Sequence, residues 1–166
     1  MSSDDFSATE TRIELLAGIH PSNRQPIFEQ VLVTPTDTED QYKLLKSPLF
    51  VRGVAAQDVV SLQKASRGRF DVVSRSGVLA LRVFFKSPDP DLETQLSAEM
   101  EKLGGSLDIQ SERALAYSIH FGVGFSSIEG LISQWIGDKQ VQWNYGNVYD
   151  PKTGEPLNWW QDMLNA

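Results

Sequence analysis

Short runs of alternating apolar and polar residues fill the first half of the chain, and the period changes in the second half. TRIELLAGI (Thr11–Ile19) and IFEQVLVTP (Ile27–Pro35) alternate or run apolar on either side of the turn-rich HPSNRQP, which predicts two strands. QYKLLKS (Gln41–Ser47), DVVSLQKA and RFDVVSRS predict three more, the last two joined by a tight turn near Ser66–Gly68. Residues 11–76 are therefore expected to form a small all-β half, a curled sheet or partial barrel.

VLALRVFF (Val78–Phe85) is almost continuously apolar, as a strand covered on both faces would be. SPDPDLETQLSAEMEKLGG then spaces Leu92, Leu96, Met100 and Leu103 at helical intervals, with Pro90 and acids at its start and Gly104 and Gly105 at its end. SLDIQ and ALAYSIHF predict a hairpin, SSIEGLISQWIG a second helix opened by a Ser126–Glu129 capping box, and VQWNY a last strand. Strand, helix, strand, strand, helix, strand is the ferredoxin-like βαββαβ plan, expected over residues 77–149. The fold class is thus α+β, the β half packed on the ferredoxin-like half. Residues 1–10 read as a flexible N-terminus. Residues 150–166 read as a tail that docks through a short helix carrying Trp159 and Trp160, because an exposed tryptophan pair would leave an apolar patch in water.

Alternation sorts the ferredoxin-like sheet into two faces. Leu107, Ile109, Leu115, Tyr117, Ile119, Phe121, Val141, Trp143 and Tyr145 are expected to face the helices. The other face then carries Arg82, Asp108, Ser118, His120, Gln142 and Asn144, the one polar constellation drawn from distant parts of the chain. These six, with Trp159 and Trp160 as a partner anchor, are the ligand- or partner-binding candidates. Single-stranded RNA binders of this plan stack bases on aromatics of the central strands, where this chain offers Phe84 beside Arg82, Ser118 and His120. HFGVGFSSIEG places a Gly-x-Gly turn before a helix but lacks both the third glycine of a dinucleotide site and the Lys-Ser/Thr of a P-loop, so it reads as a structural turn.

Arg52, Gly53 and Asp58 lie in the densest apolar stretch of the first half, SPLFVRGVAAQDVVSL. They read as a structural turn: Gly53 relieves backbone strain, Asp58 bonds nearby amides, and Arg52 is close enough to pair with Asp58. His20 and His120 fall on different halves, and no ligand-spaced cluster joins them, so no metal, cofactor or catalytic residue is assigned.

Composition narrows the function classes. The 166 residues hold 15 Lys and Arg against 22 Asp and Glu, a net charge of −7, with no cysteine. That balance repels phosphate backbones and argues against nucleic acid, while fitting a basic protein partner. MSSDDFSATE lacks the basic start and apolar run of a secretory signal, and no apolar run is long enough for a bilayer, so a cytoplasmic protein without membrane association is expected.

SPLFVRGVAAQDVVSL, RFDVVSRSGVLALRVFF and MEKLGGSLDI together resemble an uncharacterised bacterial family, domain of unknown function 4265, over about Ile27–Tyr149. The resemblance rests on the Pro-aromatic-Arg-Gly start, the Asp-Val-Val after it and the Ser-Gly…Leu-Arg-Val junction. Gln57 stands where the family usually has Gly, and Val78 where it often has His. The resemblance implies no activity. The leading expectation is a non-enzymatic binding protein that presents an acidic surface to a protein partner, with an immunity protein neutralising a toxin as its sharpest form. The alternative is a small-ligand sensor or enzyme using the open sheet face, with Arg82, Ser118 and His120 in one pocket.

Overall fold

The computed structural model describes residues 10–137 and 140–164. Most of the expected flexible N-terminus therefore lies outside the described residues. The chain is α+β, with two antiparallel sheets and, among the described residues, three α-helices. The first sheet takes its strands in sequence order: β1 (Thr11–Ile19), β2 (Pro26–Pro35), β3 (Gln41–Leu44), β4 (Val59–Leu62) and β5 (Phe70–Ser74). Its core is aliphatic, with Leu15, Val31, Val33, Leu44, Val51, Val54 and Val60 buried together.

The second half runs β6 (Val78–Phe85), α1 (Pro90–Lys102), β7 (Ser106–Gln110), β8 (Ala114–His120), α2 (Phe125–Ile136) and β9 (Val141–Tyr145). In space its strands lie in the order β7-β8-β6-β9, each neighbouring pair antiparallel. Helix α1 begins where the sequence says it must: the Asp89 carboxylate accepts from Leu92 N at 3.2 Å, Pro90 needs no partner for a missing N–H, and Asp91 and Glu93 meet the positive end of the dipole. It buries Leu92, Leu96 and Met100 against the sheet, with Ile128, Ile132 and Ile136 of α2 beside them.

Two local expectations are corrected. Helix α2 starts at Phe125 after Gly124, whose φ of 101° suits glycine alone, and no side chain caps it. Ser126 is thus already inside the helix, and Glu129 accepts from the Tyr145 hydroxyl at 2.9 Å instead of closing a capping box. In β7 the register against β8 shifts between Leu107 and Ile109. That bulge breaks the alternation, leaving Leu107 exposed and turning Ile109 to pack with Leu49, Ala114 and Ala116 on the face away from the helices.

After β9 the chain stays on β6. Gly146 N–H donates to Ala80 O at 2.7 Å, and the buried Asn147 side chain accepts from Ala80 N and donates to Val78 O, both at 2.9 Å, so an amide side chain continues the ladder. The tail ends in α3 (Trp159–Leu164). Trp159 is 7% exposed within the helix-side core and donates its indole N–H to Asn147 O at 2.8 Å. Trp160 packs edge-on against Phe125. No helix among the described residues is long and apolar enough to cross a membrane.

Candidate functional site

The polar constellation lies on the face of β6, β8 and β9 opposite the helices. Register places Val78 opposite His120, Ala80 opposite Ser118, and Arg82 opposite both Ala116 and Asn144. That face is not open. The connection between β3 and β4, residues 45–58, lies across it, and the polar side chains hold it there.

Ser47 N–H donates to Asp108 Oδ2 at 2.8 Å, the Ser47 and Ser118 hydroxyls are 2.6 Å apart, and Ser118 also donates to Asp108. Ala56 N–H donates to Ser47 Oγ at 3.0 Å, which closes the network on the far side of the connection. Arg82, 3% exposed, donates from Nε to Asn144 Oδ1 at 3.1 Å and from Nη1 to Val51 O at 3.0 Å and Pro48 O at 3.4 Å. On the other side of the same turn, Glu29 accepts from the amides of Leu49, Phe50 and Val51 at 2.8–2.9 Å. One short turn is thus gripped by a carboxylate at its N–H groups and by a guanidinium at its carbonyls, so the peptide dipoles link two charges that do not touch. Burial lowers the Arg82 pKa to about 10; the Glu29 charge opposes that shift and the Arg52 charge adds to it.

The turn residues form a second junction. Asp58, 1% exposed, accepts from Ala55 N at 3.0 Å, from Ser76 N at 2.8 Å and from Ser76 Oγ at 3.0 Å. Burial outweighs these bonds and raises its pKa. The expected Arg52–Asp58 pair is absent: Arg52 is exposed while Asp58 is buried, and Gly53 next to Arg52 takes a φ of 90°. The cation near Asp58 is Arg75, at 3.9 Å, which also donates to Gly53 O at 3.0 Å.

His120 is exposed; its Nδ1 accepts from Gly122 N at 2.9 Å and its ring lies 4.8 Å from that of Phe121. Among the described residues it bonds neither Ser118 nor Asp108, so the three do not make a relay. Gln142 is exposed and lines a shallow recess with Phe84, Phe85 and Lys86. Arg82 and Asn144 line one recess, with Arg52; Asp108, Ser118 and His120 line another, of about 300 Å3. The expected single pocket holding Arg82, Ser118 and His120 is therefore divided in two by the connection. Among the described residues no three His, Asp or Glu side chains are grouped to hold a metal ion.

The sequence reading missed Glu29, Ser76, Asn147 and Gly146. Glu29 carries a visible signal, the one charged residue in a strand that is otherwise mostly apolar. Gly146 packs directly on the guanidinium, where a Cβ would stand 2.9 Å from Arg82 Cζ, and nothing local in the sequence marks that contact.

No curated protein matches the chain. A crystal structure of a hypothetical protein from Neisseria gonorrhoeae is similar in fold, with a TM-score of 0.62 over 82% of this chain and 94% of that one, at 14% sequence identity. The family described as Domain of unknown function (DUF4265) matches residues 29–144, most of both sheets and the connection between them, and the chain belongs to that family.

Proposed function

We propose that this chain is a non-enzymatic cytoplasmic binding protein that presents an acidic surface to a basic protein partner, an immunity protein neutralising a toxin being the most specific form of that reading. The observation that carries it is where the charge lies. Residues 10–76 hold nine Lys and Arg against eight Asp and Glu, whereas residues 77–166 hold six against twelve. Helix α1 concentrates the excess, with Asp91 and Glu101 exposed. An acidic excess of this kind steers an oppositely charged partner and suppresses wrong ones.

The alternative reading, a ligand sensor or enzyme with Arg82, Ser118 and His120 in one pocket, draws less support because Asp108 and Ser118 are engaged in holding the connection and Arg82 lines a separate recess. Strand order β7-β8-β6-β9 supports a ferredoxin-like half over residues 77–149. The Leu16 N–H bond to Gly68 O, at 2.8 Å, brings the turn before β5 back to β1 and supports a curled first sheet over 11–76.

Affinity capture from the native host tests the function. A basic protein is expected on the column, released by moderate salt, and captured less by the Asp91→Asn, Glu101→Gln double variant. Capture indifferent to both salt and neutralisation, or no basic protein retained, overturns the reading.

A further inference from the structure

A recess of about 440 Å3 opens where the connection, the end of β9 and the turn of the tail meet, lined by Arg52, Arg82, Asn144, Gly146, Tyr149 and Asp150 among others. Its lining sets two guanidinium groups, Arg52 and Arg82, against one carboxylate, Asp150. Arg82 is bonded only to neutral acceptors, through Nε and Nη1. Its Nη2 bonds nothing among the described residues, and the side chain lines the recess. Arg52 is exposed and, among the described residues, makes neither a hydrogen bond nor an ion pair.

The nearby carboxylates are occupied. Glu29 turns both oxygens to the amides of the 49–51 turn. Asp150 accepts from Lys152 N at 2.7 Å and Thr153 N at 3.1 Å through one oxygen, and those amides hold its pKa below the usual carboxylate value. Gly146 packed on the Arg82 guanidinium fixes the fork in place. Tyr149, half exposed, offers an aromatic wall. Two guanidinium groups brought to one concave surface, neither of them ion-paired among the described residues, favour an oxyanion, which the planar fork of arginine accepts in bidentate geometry.

We propose that this recess binds a small oxyanion, a carboxylate or a phosphate, carried on a flat body that lies against Tyr149. Arg82 supplies the fixed donor and Arg52 the mobile one, closing over the ligand from solvent. The site is independent of the acidic surface and takes a ligand of the opposite charge.

Titration of the isotopically labelled full chain with benzoate, phenyl phosphate and inorganic phosphate, followed by amide NMR, tests it. Saturable shifts are expected at Arg52, Gly53, Gly146 and Tyr149. Arg52→Ala, at an exposed side chain, should weaken binding about tenfold, the loss of one charge-assisted hydrogen bond, and Arg52→Glu should abolish it. Tyr149→Ala should weaken benzoate and phenyl phosphate while sparing inorganic phosphate. Stronger binding of benzoate or of phenyl phosphate identifies which oxyanion the site takes. Absence of saturable shifts at millimolar probe, shifts clustered elsewhere, or Arg52→Ala binding as well as the unaltered chain overturns the proposal.

Discussion

β2 and β6 are strands of ten and eight residues, each with strands paired on both sides, yet they bury their side chains differently. In β2, Val31 and Val33 are buried and Leu32 between them is only partly covered. In β6 every residue from Leu79 to Val83 is buried, Arg82 included. The first sheet packs one face around its own aliphatic core; the second has helices on one face and the connection on the other. A sheet covered twice needs an occupant for its second face, and here a piece of the first region serves. The polar residues on that face are what an irregular segment requires, because its backbone N–H and C=O groups must be satisfied where they are buried.

Trp159→Ala strikes the second region hardest. Removing a buried indole and its bond to Asn147 O should cost about 3–5 kcal/mol, read as a lowered urea midpoint. Hydrogen exchange should quicken first in β6, β8 and β9; faster exchange confined to β1–β5 would break the comparison.

Asp58 sits at the junction, so Asp58→Ala should cost about 2–3 kcal/mol through unsatisfied amides at Ala55 and Ser76, and should loosen both regions together. Its pH dependence has a defined sign. The folded pKa is raised by burial, so the folded state favours the protonated acid. The stability this adds is fully present below the unfolded aspartate pKa and is lost as pH rises through the raised folded value. The stability of the unaltered chain relative to Asp58→Asn should therefore fall across that window; a rise would show that the amide bonds, not burial, dominate.

Arg67→Ala gives the smallest effect. Arg67 pairs with Glu14 at 2.9 Å and covers the Phe28 ring at 4.1 Å, but it is largely exposed, so about 0.5–1 kcal/mol is expected. High salt should shrink the difference. A larger loss would mean that the ends of the first sheet depend on that contact far more than its exposure suggests.

Regular pairing was legible in the sequence because it repeats. Alternation in TRIELLAGI, the apolar run VLALRVFF and the Pro90-to-Gly104 frame of α1 each record a local geometry many residues long. Arg82, Ser118 and Asp108 were also legible as members of one face. What faces them was not, since Arg82 meets carbonyls of Pro48 and Val51, and every residue carries a carbonyl. The bulge at Leu107–Ile109 and the glycine start of α2 were missed for a related reason. Each is a single-residue departure decided by what packs against it, which no period records.

The bonds of the connection span 61 and 71 residues to Asp108 and Ser118, and 31 from Val51 to Arg82. Contacts that distant in sequence carry a large loop-closure cost, so they form after the hairpins that flank them. During synthesis the first sheet emerges without the strands its connection will cover, and the segment, held on one side by Glu29, lacks the partners of its other side until β6 and β8 have left the ribosome. Arg52 and Arg82 come together only at that late step, so occupancy of their recess would report completion of the fold rather than formation of either sheet.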